Sequence, residues 1–281
     1  DWYIYQQQCP LYDAPGLPIS WNKNQYQEGK NEYVAVRPEL KKQIEELYRK
    51  HPEEARDSFG EDPFEVKNIL KYWIFSERQE FNVIPTDTIN IHIDKDALLR
   101  SGIMLPKTIR HLKGEDLKDA IPDKLYIPLT DIRMLTKVDL LMLEMLANCN
   151  WERPLYLAIS VGSVSKLKFD NYFVQEGLAF RFTPFDYKKW GDVGENRLYA
   201  VDVERLYDNV MNRYKYGGLD TPGLYLDETT LRTCWYHRRL FAQLAKELIA
   251  QGDNERAKKV LAYAEQVIPG YNVPETHESG S

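Results

Sequence analysis

The stretch Leu140–Phe182 constrains this chain most, because a helical stripe there runs straight into a proline-gated apolar segment. Its opening, LLMLEMLAN, puts Leu140, Leu143, Leu146 and Ala147 at the three-and-four spacing of a helix with one buried side. Pro154, within CNWERPLYLAIS, cannot continue a helix, and the apolar run Leu155–Ile159 behind it reads as a buried strand. After a polar turn and a short helix near Asn171, Gly177 opens a second strand, Leu178–Phe182, which Thr183–Pro184 ends. A helix feeding a buried strand, then a crossover and another strand, is how an α/β domain assembles its sheet. Leu155, Leu157 and Ile159 are therefore expected at the centre of that sheet, where Leu157→Ala would cost roughly 2–5 kcal/mol.

Composition narrows the function classes. The chain has 281 residues, 43% of them hydrophobic and 28% charged, which is a globular composition with room for one large or two modest cores. The longest apolar runs fall far short of the roughly 20 residues a membrane-spanning helix needs. A net charge of -6 argues against nucleic acid as the partner, since phosphate binding wants a basic face. The 19 Tyr and 6 Trp are read first as packed aromatics, and second as contact surface for carbohydrate or peptide. Cys9, Cys149 and Cys234 lie far apart without a CxxC pair, which excludes a zinc ribbon or a disulfide scaffold.

Around the central stretch the chain reads in order. DWYIYQQQ looks like the end of a strand running into a helix, as though the sheet used a strand from upstream sequence; Pro10, Pro15, Gly16 and Pro18 then keep the path irregular. Pro38 fits a first helical turn ahead of the stripe Leu40, Ile44, Leu47 and Tyr48. Asp62 and Pro63 are expected to start a second helix carrying Phe64, Val66, Ile69, Leu70 and Trp73. Between those two helices, His51–Glu61 is charged and solvated in character. In VIPTDTINIHI, Ile89, Ile91 and Ile93 face one side and Thr88, Asn90 and His92 the other, the alternation of a half-buried strand. His92, between Asp87 and Asp94, reads as an exposed strand histidine, since no HxH or HExxH spacing gives it companion ligands. Lys95–Ser101 reads as a helical turn and Lys124–Leu129 as a short strand. Val203–Tyr214 is amphipathic through Val203, Leu206, Tyr207 and Val210, and KYGGLDTPG follows as a turn-rich linker.

The C-terminal part is helical: Thr229–Ala250, a break at Gly252–Asp253, and Glu255–Val267 stopped by Pro269. Phe241, Leu244, Ala245, Leu248, Gly252, Ala257, Leu261, Ala264 and Pro269 follow the spacing of a tetratricopeptide repeat over residues 229–269, with a generic helical hairpin as the alternative. Small residues there let two antiparallel helices approach, and one repeat cannot bury its own face, so it must dock on something else. The expected fold is thus α/β: a mixed sheet with flanking helices over residues 1–200, then a helical part over 201–281.

No GxSxG, glycine-rich phosphate loop or GxGxxG is present, so no catalytic, cofactor or metal residue is assigned. Glu152–Arg153, and Glu176 with Arg181, flank the central strands; they read as ion pairs holding strand ends, or as binding groups. Arg232, Arg238 and Arg239 with His237 make one side of the long helix basic, a solvated or interdomain face before it is an anion site. The binding candidates are Arg153, Glu176, Arg181, Arg238 and Arg239.

DWYIYQQ, NQYQEGKNEYV, the pair NWERPLYLA and EGLAFRFTP, and RRLFAQLAKELIAQGDNERAKKVL together resemble a family of large multi-pass membrane proteins abundant in Bacteroidetes. Its animal relatives resemble protein O-mannosyltransferases of the lipid-sugar-using GT-C type. The resemblance implies that this chain is the periplasmic C-terminal region, on the outer side of the inner membrane, behind a membrane half that holds the catalytic carboxylate. It implies a non-catalytic accessory domain that helps position a protein or peptide acceptor. The alternative is a tetratricopeptide-type module that recruits an envelope partner.

Overall fold

In YVAV the alternation is complete: Val34 and Val36 are buried while Tyr33 is 68% exposed, and the segment forms strand β1 (Tyr33–Val36). The structure is a computed structural model that describes residues 19–20, 28–76, 81–161, 167, 169–194 and 199–274. The aromatic opening DWYIYQQQ and the proline-rich path behind it lie outside the described residues.

Pro38 starts a 3-10 turn that runs into α1 (Lys41–Lys50), with Ile44 on its buried side. The charged His51–Glu61 segment contains α2 (Pro52–Phe59), which Pro52 opens and whose Ala55 is buried completely. The next helix starts later than the Asp62–Pro63 reading expected. Asp62 spends its side chain on the Phe64 N–H (2.9 Å) and on Lys124 (2.6 Å), so α3 (Val66–Ile69) begins only after Glu65 and then widens into a π turn over Leu70–Ile74.

Strand β2 (Val83–Ile84) runs parallel to β1. In β3 (Thr88–His92) the isoleucines face inward and His92 is exposed, but Asn90 is buried as well, so the middle of the strand is covered on both faces where the alternation predicts a half-buried one. Helices α4 (Lys95–Arg100) and α5 (Gly114–Ala120) lead to β4 (Lys124–Pro128), antiparallel to β3, and to β5 (Met134–Thr136), antiparallel to β1. Thr136 and Asp139 form a capping box for α6 (Lys137–Asn148), whose Leu140, Leu141, Leu143, Leu146 and Ala147 are buried. Fully buried Glu144 sits among them and accepts the Ser20 N–H (2.6 Å) and the Asn148 amide (2.8 Å). Asn150 and Trp151 both take positive φ values, 49° and 60°, at the helix exit. A bulky residue is strained there, and the bond from the Trp151 indole N–H to the His92 carbonyl (2.9 Å) helps hold it.

Residues 19–155 with 167 and 169 form one compact unit; residues 156–161 and 170–274 form another. The second unit overturns the central-strand expectation. Its sheet has the order β6-β8-β7-β9, so β6 (Tyr156–Ala158) is an outer strand, and Leu155, Leu157 and Ile159 are only half-buried. A continuous apolar run suggested cover on both faces, but Tyr156 and Ala158 are exposed and the run is covered on one face alone. Nor is the connection a parallel crossover. A 3-10 turn at Asp170–Tyr172 leads to β7 (Phe173–Gln175), and β8 (Ala179–Phe182) runs antiparallel to both β6 and β7. Strand β9 (Ala200–Val201) then lies parallel to β7.

Asp202 caps α7 (Val203–Asp208), Asp227 caps α8 (Glu228–Ala250), and Asp253 caps α9 (Asn254–Val267). Gly252, at φ 83°, makes the turn between the last two. Leu240, Phe241, Leu244 and Leu248 of α8 pack with Leu206 and Val210 of the α7 segment and Ala257 and Val260 of α9. Leu261 departs from the repeat pattern: it is 51% exposed instead of filling the inter-helix groove. The KYGGLDTPG segment is turn-rich but not a loose linker, since the Asn272 amide donates to the Leu219 (2.7 Å) and Thr221 (2.6 Å) carbonyls. The α/β class with mixed sheets and a helical C-terminal hairpin therefore holds, with the strands distributed over small sheets.

Thermal or denaturant melts check this packing. Leu157→Ala, on a strand covered on one side, is expected to cost about 1 kcal/mol, half the value of a fully buried leucine. Ala257→Leu, at a residue 3% exposed, is expected to cost about 1–3 kcal/mol. Lys258→Leu, on the solvent side, should stay within about 0.5 kcal/mol.

Candidate functional site

Register sorts the second unit's sheet into two chemically different faces. Tyr156, Arg181 and Val174 are cross-strand partners and share one face; Leu157, Phe180, Gln175 and Val201 share the other. The β7–β8 turn fixes this arrangement. The Glu176 N–H donates to the Ala179 carbonyl at 3.2 Å, and Gly177 sits where the chain passes Tyr214. A Cβ on residue 177 would overlap the Tyr214 hydroxyl, which itself accepts the Leu178 N–H at 2.9 Å. Glycine is needed here for close approach.

Two of the sequence candidates meet on the first face. Glu176 and Arg181 are 5% and 3% exposed, and their Oε1 and Nη1 are 3.6 Å apart. Glu176 Oε2 accepts the Tyr156 hydroxyl at 2.8 Å and faces Arg205 Nη1 at 3.4 Å, while its backbone carbonyl accepts the Asn209 amide at 2.6 Å. Arg205 also lies 3.5 Å from Asp202. Burial, and then the bond to the Glu176 carboxylate, pushes the Tyr156 phenol above its ordinary value. The cluster thus anchors the end of β8 to the start of α7. It has the character of a buried, fixed ion pair; each charge is already met by an opposite one.

The other candidates lie apart from this pair, although Arg238 and Arg239 both line one groove between α8 and α9. Arg153 is exposed and belongs to the first unit. Arg238 donates from Nη2 to the Ile268 carbonyl at 2.7 Å, which satisfies the end of α9. Arg239 lies with Tyr236, Gln243 and Lys246 along α8, lining a cleft of about 420 Å³ whose other wall includes Gln175 and Tyr199.

Tyr156, Arg205, Gln175 and Lys246 were missed by sequence reasoning. Only strand register and the return of α7 bring the first two to Glu176, and neither leaves a local motif. Cys149 and Cys234 are buried free thiols, and burial raises the pKa of each. Among the described residues no group of three or more His, Cys, Asp or Glu could hold a metal ion, and no helix is long and apolar enough to cross a membrane.

Comparison with known proteins gives one family. Residues 1–204 match the family model described as TMEM260-associated domain 2. No curated protein and no solved structure matches the chain.

The buried pair is open to a double-mutant cycle. Glu176→Leu alone strands the Arg181 charge and is expected to cost about 3–5 kcal/mol. The double variant Glu176→Leu/Arg181→Met should recover most of that loss, because it removes both desolvated charges. Additive losses in denaturant melts would show that the two side chains act separately.

Proposed function

The chain belongs to the TMEM260-associated domain 2 family, and on that premise we propose that it is a non-catalytic accessory domain of a glycosyltransferase-related membrane protein. TMEM260 is an animal protein O-mannosyltransferase. In this reading the domain lies on the periplasmic face of the inner membrane and helps position a protein or peptide acceptor for a catalytic centre elsewhere in the parent protein. The observation that carries the reading is the family match across residues 1–204, which takes in the whole four-stranded sheet with Glu176 and Arg181. The chemistry of that cluster supports it. Glu176 is held by Tyr156, Arg181 and Arg205, an arrangement suited to fixing β8 against α7.

Steady-state kinetics on the parent protein, with lipid-linked sugar and acceptor, test the proposal. The chain alone should give no turnover. Deleting it from the parent should raise the acceptor KM about tenfold or more, and leave kcat at saturating acceptor nearly unchanged. Turnover by the chain alone, or a deletion that lowers kcat with the acceptor KM unchanged, would sink the idea.

A second reading, a module that recruits an envelope partner through its helical hairpin, is favoured by the exposure of Leu261. This residue lines a groove of about 400 Å³ with Trp235, Phe241, Ala242 and Ala264, flanked by Arg238, Arg239 and Glu265. Leu261→Lys should leave the melting temperature unchanged and remove any stoichiometric partner captured from envelope extract. A partner retained by that variant excludes this groove.

A further inference from the structure

We infer that the cleft between α8 and the second face of the β6-β8-β7-β9 sheet is a binding site for a small hydroxylated organic anion. The inference is independent of the accessory-domain reading: it concerns a ligand, and its failure would leave that reading untouched.

Three observations carry it. The first is the shape of the cleft. Its volume is about 420 Å³, within the range of small-ligand sites, and it follows one stripe of α8. Tyr236, Arg239, Gln243 and Lys246 recur at steps of three and four, so they stand on the same side of the helix over about 15 Å.

The second is an orphaned acceptor. Gln175, across the cleft on β7, is 3% exposed, and its Oε1 is buried with no hydrogen-bond partner among the described residues. Its Nε2 is committed to the Gly177 carbonyl at 3.4 Å, which leaves Oε1 as the atom lacking a donor. A desolvated amide oxygen is costly when unmet. A ligand O–H or N–H would meet it.

The third is the sign of the charge. Lys246 lines the cleft, where no carboxylate does so among the described residues. Arg239 stands between this cleft and the α8–α9 groove that holds Glu265, and the Gln243 amide is committed to Glu247 at 2.7 Å, so Lys246 is the charge that favours an anionic group. Tyr199 and Tyr236 add ring faces and hydroxyls. Tyr199 is held edge-on against Phe180 with ring centroids 4.6 Å apart, which makes it a fixed wall. Amides and phenols both donate and accept, as hydroxyl groups of a ligand require. A purely apolar ligand would leave Gln175 unmet, and a neutral one would gain nothing from Lys246. Carboxylate and phosphate share the required charge.

Titration calorimetry on the full chain separates these features with four probes: glucuronate, glucose 6-phosphate, succinate and glucose. At least one of the first two should bind with a Kd of about 1 mM or tighter. Succinate, which lacks hydroxyls, and glucose, which lacks charge, should each bind about tenfold more weakly. Binding by glucuronate alone assigns a carboxylate to the site, and binding by glucose 6-phosphate alone assigns a phosphate.

Gln175→Met and Lys246→Gln should each weaken the favoured anion about tenfold, equivalent to about 1.4 kcal/mol. Gln175→Met removes the unmet oxygen together with the long Nε2 bond to the Gly177 carbonyl, two effects of opposite sign, so the free protein's melting temperature should change little. The site is overturned if neither anion binds at about 10 mM, or if binding survives both substitutions. A much lower melting temperature for Gln175→Met would make Gln175 a structural residue and remove the second observation. Lys246 is exposed, so its variant tests the site without disturbing the fold.

Discussion

Burial along α8 is the constraint on which the second unit depends. This helix of 23 residues is about 34 Å long, and its inward residues from Cys234 to Leu248 supply much of that unit's core. No strand of the accompanying sheet exceeds four residues, and so short a sheet has little stability unless it packs on something larger. Helix α9 meets the same problem from another direction, since only Ala257 and Val260 of its length are fully buried. Both elements are therefore stable mainly as partners of α8. The cleft chemistry sits on a stripe of the same helix, so its side chains stand on the most thoroughly anchored backbone in the unit.

The two faces of the sheet divide the work. One carries a desolvated ion pair that fixes β8 against the start of α7, and the other carries aromatic and amide groups that face α8. Period-2 alternation makes this division possible within three residues of each strand. It also makes it fragile: a one-residue slip of β8 against β7 would send Arg181 into the apolar face and Phe180 outward. The tight turn through Gly177, closed against Tyr214, holds the register.

What could be read from the sequence was local. Helix α8, its break at Gly252 and the start of α9 were legible because periodicity, a glycine and an aspartate cap lie within a few residues of one another. The isoleucines of β3 were legible for the same reason. Leu155–Ile159 was misread because an apolar run reports hydrophobicity without reporting which neighbours cover it, and its neighbour, β8, comes more than twenty residues later. Strand β7 has three residues and no periodic signature. At the site, Glu176 and Arg181 could be named because a hairpin joins them. Arg205 and Tyr156 reach the same carboxylate only through tertiary structure, and Gln175 becomes conspicuous only when its oxygen is seen without a donor.

The buried thiols carry a consequence for measuring this protein. Cys149 belongs to the first unit and Cys234 to the second, and burial keeps both protonated, the unreactive state toward alkylating reagents. Each can be modified only when its own surroundings open. With Cys9 replaced by serine, the two alkylation rates become separate clocks for local opening, one per unit, read in a single experiment without any introduced label. Equal rates would describe a chain that opens as a whole; unequal rates would give each unit its own free energy.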